Sequence, residues 1–135
     1  MTLGRFLAMW SFMAVAMTLN GIGRELLLRP LLPSWATALS SAVLGVLWIG
    51  LITRWGFRPL RTATTPPPPT TLAGYTIALV GLTVVFETVL GRFVDHKSWA
   101  EILEHYALWR GELWPIVLAW LGVTPWFWAR RGAIR

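Results

Sequence analysis

Long apolar stretches alternate with short polar ones along this chain, and the apolar stretches exceed what an ordinary soluble core requires. Residues 3–28 open with LGRFLAMWSFMAVAMTL and continue in helical spacing through the polar NGIGRE. Residues 35–55 read WATALSSAVLGVLWIGLITRW, with no charge before Arg54. Residues 72–90 contain one charge, Glu87, and residues 109–128 close the series with Arg110 and Glu112 near its start. About twenty helical residues cross the hydrocarbon layer at 1.5 Å each, and a lone segment in lipid satisfies its own backbone hydrogen bonds only as a helix. The pattern therefore predicts an all-α integral membrane four-helix bundle, one transmembrane domain over residues 1–135.

The fourth span is the shortest. Pro115 lies near its start, where a missing amide donor is tolerated, whereas Pro125 is expected to kink or end the helix in its final turn. The first span superficially resembles a signal peptide. Its length and the bulky, charged residues that follow predict retention rather than cleavage.

Two connecting segments have patterns of their own. Ser98 and Glu101 form an S-x-x-E capping box, and Trp99, Ile102, Leu103, Tyr106 and Trp109 then recur at intervals of three and four. Residues 99–108 are accordingly expected to form an amphipathic interfacial helix between spans three and four. The stretch TATTPPPPTT, residues 62–71, is expected to be a polyproline II spacer. Gly45, Gly81 and Gly122 place small residues inside spans, where they permit close helix contact.

Composition agrees with lipid as the solvent: 56% of the 135 residues are hydrophobic and 13% charged. The net charge of +6 does not point to nucleic acid, because no segment presents a basic polar face with interleaved aromatics. Its distribution speaks instead to orientation. Arg54, Arg58 and Arg61 occur without an acid, as do Arg130, Arg131 and Arg135, and such segments stay in the cytoplasm. Both termini are expected there, with the mixed-charge loops and the interfacial helix on the outer face. The localisation that follows is a multi-pass protein of the bacterial inner (plasma) membrane. The chain has no cysteine, which excludes disulfides and thiolate sites.

The candidate chemistry gathers in one layer. Asn20, Arg24 and Glu25 follow span one, Glu87 and Arg92 end span three, and Arg110 precedes span four. Glu87 stands out, because a carboxyl group in an apolar run needs a proton, a cation or water, and Arg24 or Arg92 could pair with it. These six residues form a candidate structural or headgroup-binding polar cluster. His96, Glu101 and His105 do not make a metal site without a second ligand-bearing helix. No nucleotide loop, zinc-protease helix or serine elbow occurs, so no catalytic residue is assigned and the balance leans away from an enzyme. Of the 10 tryptophans most lie at span ends, as membrane-interface anchors do, while Trp10, Trp48 and Trp120 lie deeper as candidate partner or lipid contacts. No resident cofactor is predicted, and bound lipid, quinone or pigment stays open.

The words NGIGRELLLRPLLP at residues 20–33 and FETVLGRFVDHKSWAEILEHYALWRGELWP at residues 86–115 carry a resemblance. With the four-span layout, the chain resembles a widespread, uncharacterised family of small bacterial inner-membrane proteins. The matching positions are Asn20, Gly21, Arg24, Glu25, Pro30, Phe86, Glu87, Ser98, Trp99, Tyr106, Arg110 and Gly111. The tetraproline loop departs from the family pattern. The resemblance implies the fold and the place of the polar layer, and implies no activity.

The functional expectation is an accessory or scaffold subunit of a larger membrane complex, of respiratory or photosynthetic kind, in contact with membrane lipids. The alternatives are an enzyme or carrier for a lipid-like or polyprenyl substrate at the outer face, and a small transporter.

Overall fold

The computed structural model describes residues 1–133, and Arg135 of the basic tail lies outside them. The chain is 82% helical, with no strand among the described residues. Helix α1 (Leu3–Gly23) runs without a break into a π turn at Arg24–Leu28. It is followed by α2 (Ser34–Gly56), the short α3 (Arg58–Thr62) and α4 (Pro69–Val89), which runs into a second π turn at Leu90–Val94. Next come α5 (Trp99–Glu104), a 3-10 turn at Leu108–Arg110 and α6 (Trp114–Ala133). Among the described residues, Leu3–Leu28, Ser34–Gly56 and Pro69–Val94 are long and apolar enough to cross a membrane.

Helices α1, α2, α4 and α6 enclose one core containing Met9, Met13, Ile49, Leu79 and Leu121. The inner face of α2 buries Thr37, Ser41, Gly45 and Ile49, one turn apart, and the small side chains let α1 approach closely. Gly45 lies under Met17 and Val117, and a Cβ at Gly56 would overlap Met9. Gly122 of α6 sits against Thr76 and Val80 of α4, whereas Gly81 faces open space. Of the three span glycines, two serve helix contact.

Deep tryptophans add cross-links. Trp10 Nε1 donates to Thr83 Oγ1 at 3.2 Å, Trp120 Nε1 to the Val46 carbonyl at 3.1 Å, and Trp128 Nε1 to Thr53 Oγ1 at 3.1 Å. Trp10 and Trp120 thus turn toward neighbouring helices, while Trp48 stays 44% exposed. Thr76 ties α4 to α6 twice: its hydroxyl donates to the Gly122 carbonyl at 2.7 Å and accepts from Trp126 Nε1 at 3.2 Å.

The last helix begins five residues after the start expected from the apolar pattern and ends five residues beyond it. Leu108–Arg110 is a separate turn, closed by Gly111 in the left-handed region at φ 85°. Pro125 does not end α6. Its missing amide would leave the Leu121 carbonyl without its helical donor, and the Thr124 hydroxyl donates to that carbonyl at 2.8 Å instead. The tetraproline spacer ends at Pro68 (φ −63°, ψ 151°), and Pro69 becomes the first residue of α4, a position that needs no amide donor.

The first residues of α1, the end of α2, α3 and the end of α6 share one end of the molecule, the terminal end. There Arg5 donates from Nε to the Gly56 carbonyl at 3.0 Å and from Nη2 to the Trp55 carbonyl at 2.8 Å, satisfying the last turn of α2. Arg54 and Arg61 flank the Trp128 ring. The two π turns, α5 and the start of α6 form the opposite, distal end.

Candidate functional site

The distal end carries all six acidic side chains of the chain and the predicted polar layer. Each long helix that ends there widens into a π turn, in which the amide of Arg29 donates to the Arg24 carbonyl at 2.9 Å and that of Asp95 to the Leu90 carbonyl at 3.0 Å. Isolated π turns concentrate at functional positions. One presents Arg24 and the other Arg92.

The charged groups pair close to home. Arg24 Nε lies 3.3 Å from Glu25 Oε1, and Glu25 also pairs with Arg29 one turn on. Arg92 donates to the Lys97 carbonyl at 2.9 Å, and its guanidinium lies 5.1 Å over the Trp99 ring. Arg110 meets Glu104 at 3.3 Å, and Lys97 lies 3.9 Å from Asp95. Asn20 donates from Nδ2 to the Ser41 carbonyl at 3.0 Å, fastening α1 to α2 at the level where the layer begins.

Glu87 differs from the rest. Neither Arg24 nor Arg92 forms an ion pair with it, and it has no hydrogen bond among the described residues. Lys97 and Arg24 act on it only through space. It borders a cavity of about 10 Å³ beside Trp10, Thr83 and Trp114. The indole nitrogen of Trp114 is buried without a hydrogen-bond partner among the described residues. Glu87 of α4 and Trp114 of α6 thus line one small space.

His105, on the polar face of the amphipathic segment and expected from the sequence to meet water or headgroups rather than a metal, completes this corner. Its ring stacks on Trp114 at 5.8 Å and 26°, meets Tyr106 edge-on, and places Nδ1 3.7 Å from Glu112 Oε2. Burial holds its pKa below the ordinary value. Glu112 pulls the other way, and Arg24 and Lys97 add to the lowering. His105 and Glu112 meet because the chain doubles back at Gly111, and a glycine after Arg110 was the one available signal of that turn.

His96 is exposed in the left-handed region at φ 53°, and Glu101 is taken up in the capping box: Ser98 N donates to Glu101 Oε2 at 2.7 Å and Glu101 N to Ser98 Oγ at 3.2 Å. The structure does not gather His96, Glu101 and His105 into a cluster of metal ligands among the described residues. Comparisons with known proteins gave no matching family model, curated protein or solved structure.

Proposed function

We propose that the chain is a four-span protein of the bacterial inner membrane, with both termini in the cytoplasm, and that it serves as an accessory or scaffold subunit of a larger integral membrane complex. The observation that carries this reading is the local pairing of the polar layer. Arg24, Glu25, Arg29, Arg92, Glu104 and Arg110 are each held by neighbours within a few residues. An enzyme site draws a nucleophile, an acid or base and a charge-stabilising group from several elements onto one reacting atom. Here the charges fix helix ends and loops, which is work for a scaffold.

The outward surface supports the same reading. Trp35, Trp48, Trp55, Trp99 and Trp109 are exposed, the last at 84%. Large rigid aromatic rings with a polar edge suit both the membrane interface and a protein neighbour. A transporter would need a polar path, and no charged side chain lies in the middle of α2 or α6.

The test is mild extraction of the tagged full chain followed by native mass determination and identification of what accompanies it. Co-isolation with one stable integral membrane neighbour in fixed ratio is expected. Recovery of a monomer with lipid alone overturns the proposal.

A further inference from the structure

A groove of about 440 Å³ follows the seam of α1 and α2 toward the distal end. Phe12, Val15, Leu19 and Leu27 of α1 and its π turn form one wall, with Leu44 and Trp48 of α2 opposite. Phe12 and Leu27 are about 22 Å apart at helical rise, roughly the depth of one leaflet and part of the next. Besides the Trp48 indole, the polar side chains on its lining are Asn20 and Arg24 at the distal end. The Asn20 amide nitrogen is committed to Ser41, so Arg24 is the cation of the groove.

Arg24 is prepared for an anion. Its Nε faces Glu25, and its two terminal amino groups have no hydrogen-bond acceptor among the described residues. Glu25 is shared with Arg29, so two cations divide one carboxylate and the group keeps one positive charge. A guanidinium with two free amino groups matches a phosphate with two parallel charge-assisted hydrogen bonds.

We propose that this groove binds an anionic phospholipid, with one acyl chain along the α1–α2 seam and the phosphate on the terminal amino groups of Arg24. Charge complementarity selects this occupant. An apolar partner helix would cover the Arg24 guanidinium without supplying an acceptor for its terminal amino groups. A zwitterionic headgroup brings its own cation and gains less from Arg24. Gly23 supplies part of the space, since a Cβ there meets nothing within 4 Å.

The test uses the full chain in nanodiscs of equal phosphatidylglycerol and phosphatidylcholine, with retained lipid counted by native mass spectrometry. The wild type is expected to keep a phosphatidylglycerol adduct. Arg24→Gln is expected to lower that adduct about tenfold through loss of the charge-assisted pair. Gly23→Leu fills the groove and is expected to abolish the adduct while far-ultraviolet circular dichroism stays unchanged. Arg58→Gln at the terminal end is the control and keeps it. Equal retention of both lipids by the wild type, or an undiminished adduct in either folded groove variant, overturns the assignment. If Arg24→Gln does not fold, Gly23→Leu alone decides. A chain that keeps the adduct yet co-isolates with no protein refutes the scaffold proposal and leaves the groove assignment standing.

Discussion

The carboxyl group of Glu87 and the indole N–H of Trp114 both lack a hydrogen-bond partner among the described residues, and both residues line one small space. Removing a polar group that has no partner is neutral or stabilising, whereas removing one member of a buried pair costs several kcal/mol. Glu87→Leu is therefore expected to leave thermal stability in detergent unchanged or raise it by about 1 kcal/mol. A fall of more than about 1 kcal/mol would show that the carboxyl is a structural partner. His105 provides a pH handle on the same corner. Its folded-state pKa is lowered, chiefly by burial, so the unfolded chain binds the proton more readily. The contribution of the neutral ring is full above its ordinary value of 6.5 and is lost as pH falls through that value toward the folded one. Between about pH 7.5 and about pH 5.5 the wild type is expected to lose more thermal stability than His105→Gln. Parallel curves would show that the imidazole is not held neutral.

Within single helices, the legible and the illegible parts separate by cause. The apolar runs of α1, α2 and α4 and the capping box of α5 depend on local spacing, and spacing is what a sequence displays. The course of α6 was not legible, because it depends on a compensation between neighbours. Pro125 alone announces a break, and only the rotamer of Thr124 restores the Leu121 carbonyl. The π turns were hidden for a similar reason: an added residue per turn leaves no mark in an apolar pattern. The partners of Arg24 and Arg92 were not legible either: the sequence allowed Glu87 as a partner of one of them, and the turns bring them to Glu25 and the Lys97 carbonyl. Asn20 was legible as a member of the layer, while its grip on Ser41 required the α1–α2 crossing. Thr124→Val keeps the side-chain shape and removes the donor. It is expected to cost about 1–3 kcal/mol of stability, the penalty of an unsatisfied buried carbonyl, read by thermal unfolding. A cost below about 0.5 kcal/mol would mean that Pro125 is accommodated by bending alone.

Across the whole molecule, charge is divided between the two ends. Arg5, Arg54, Arg58, Arg61, Arg130 and Arg131 gather at the terminal end with no aspartate or glutamate beside them, while all 6 acids mix with Arg24, Arg29, Arg92, Lys97 and Arg110 at the distal end. Positive side chains near span ends resist translocation, and acids do little to offset or oppose them. The terminal end is thus the one expected to remain cytoplasmic. Reporter fusions after residue 65 and at the carboxyl terminus are expected on the cytoplasmic side, and one after residue 97 on the other. The causal part is tested by neutralisation. Replacing Arg58, Arg130 and Arg131 with glutamine gives up the contact of Arg131 with the Phe127 ring but leaves Arg5, Arg54 and Arg61 in their contacts with Trp55, Gly56 and Trp128. With three of its six described arginines gone, that end carries fewer cations than the five of the distal end, and the reporters are expected to show mixed orientation. Uniform cytoplasmic termini after neutralisation would assign the orientation to the remaining packed arginines. Opposite locations for residue 65 and the carboxyl terminus in the wild type would mean that α6 does not cross, and the four-span reading would fall.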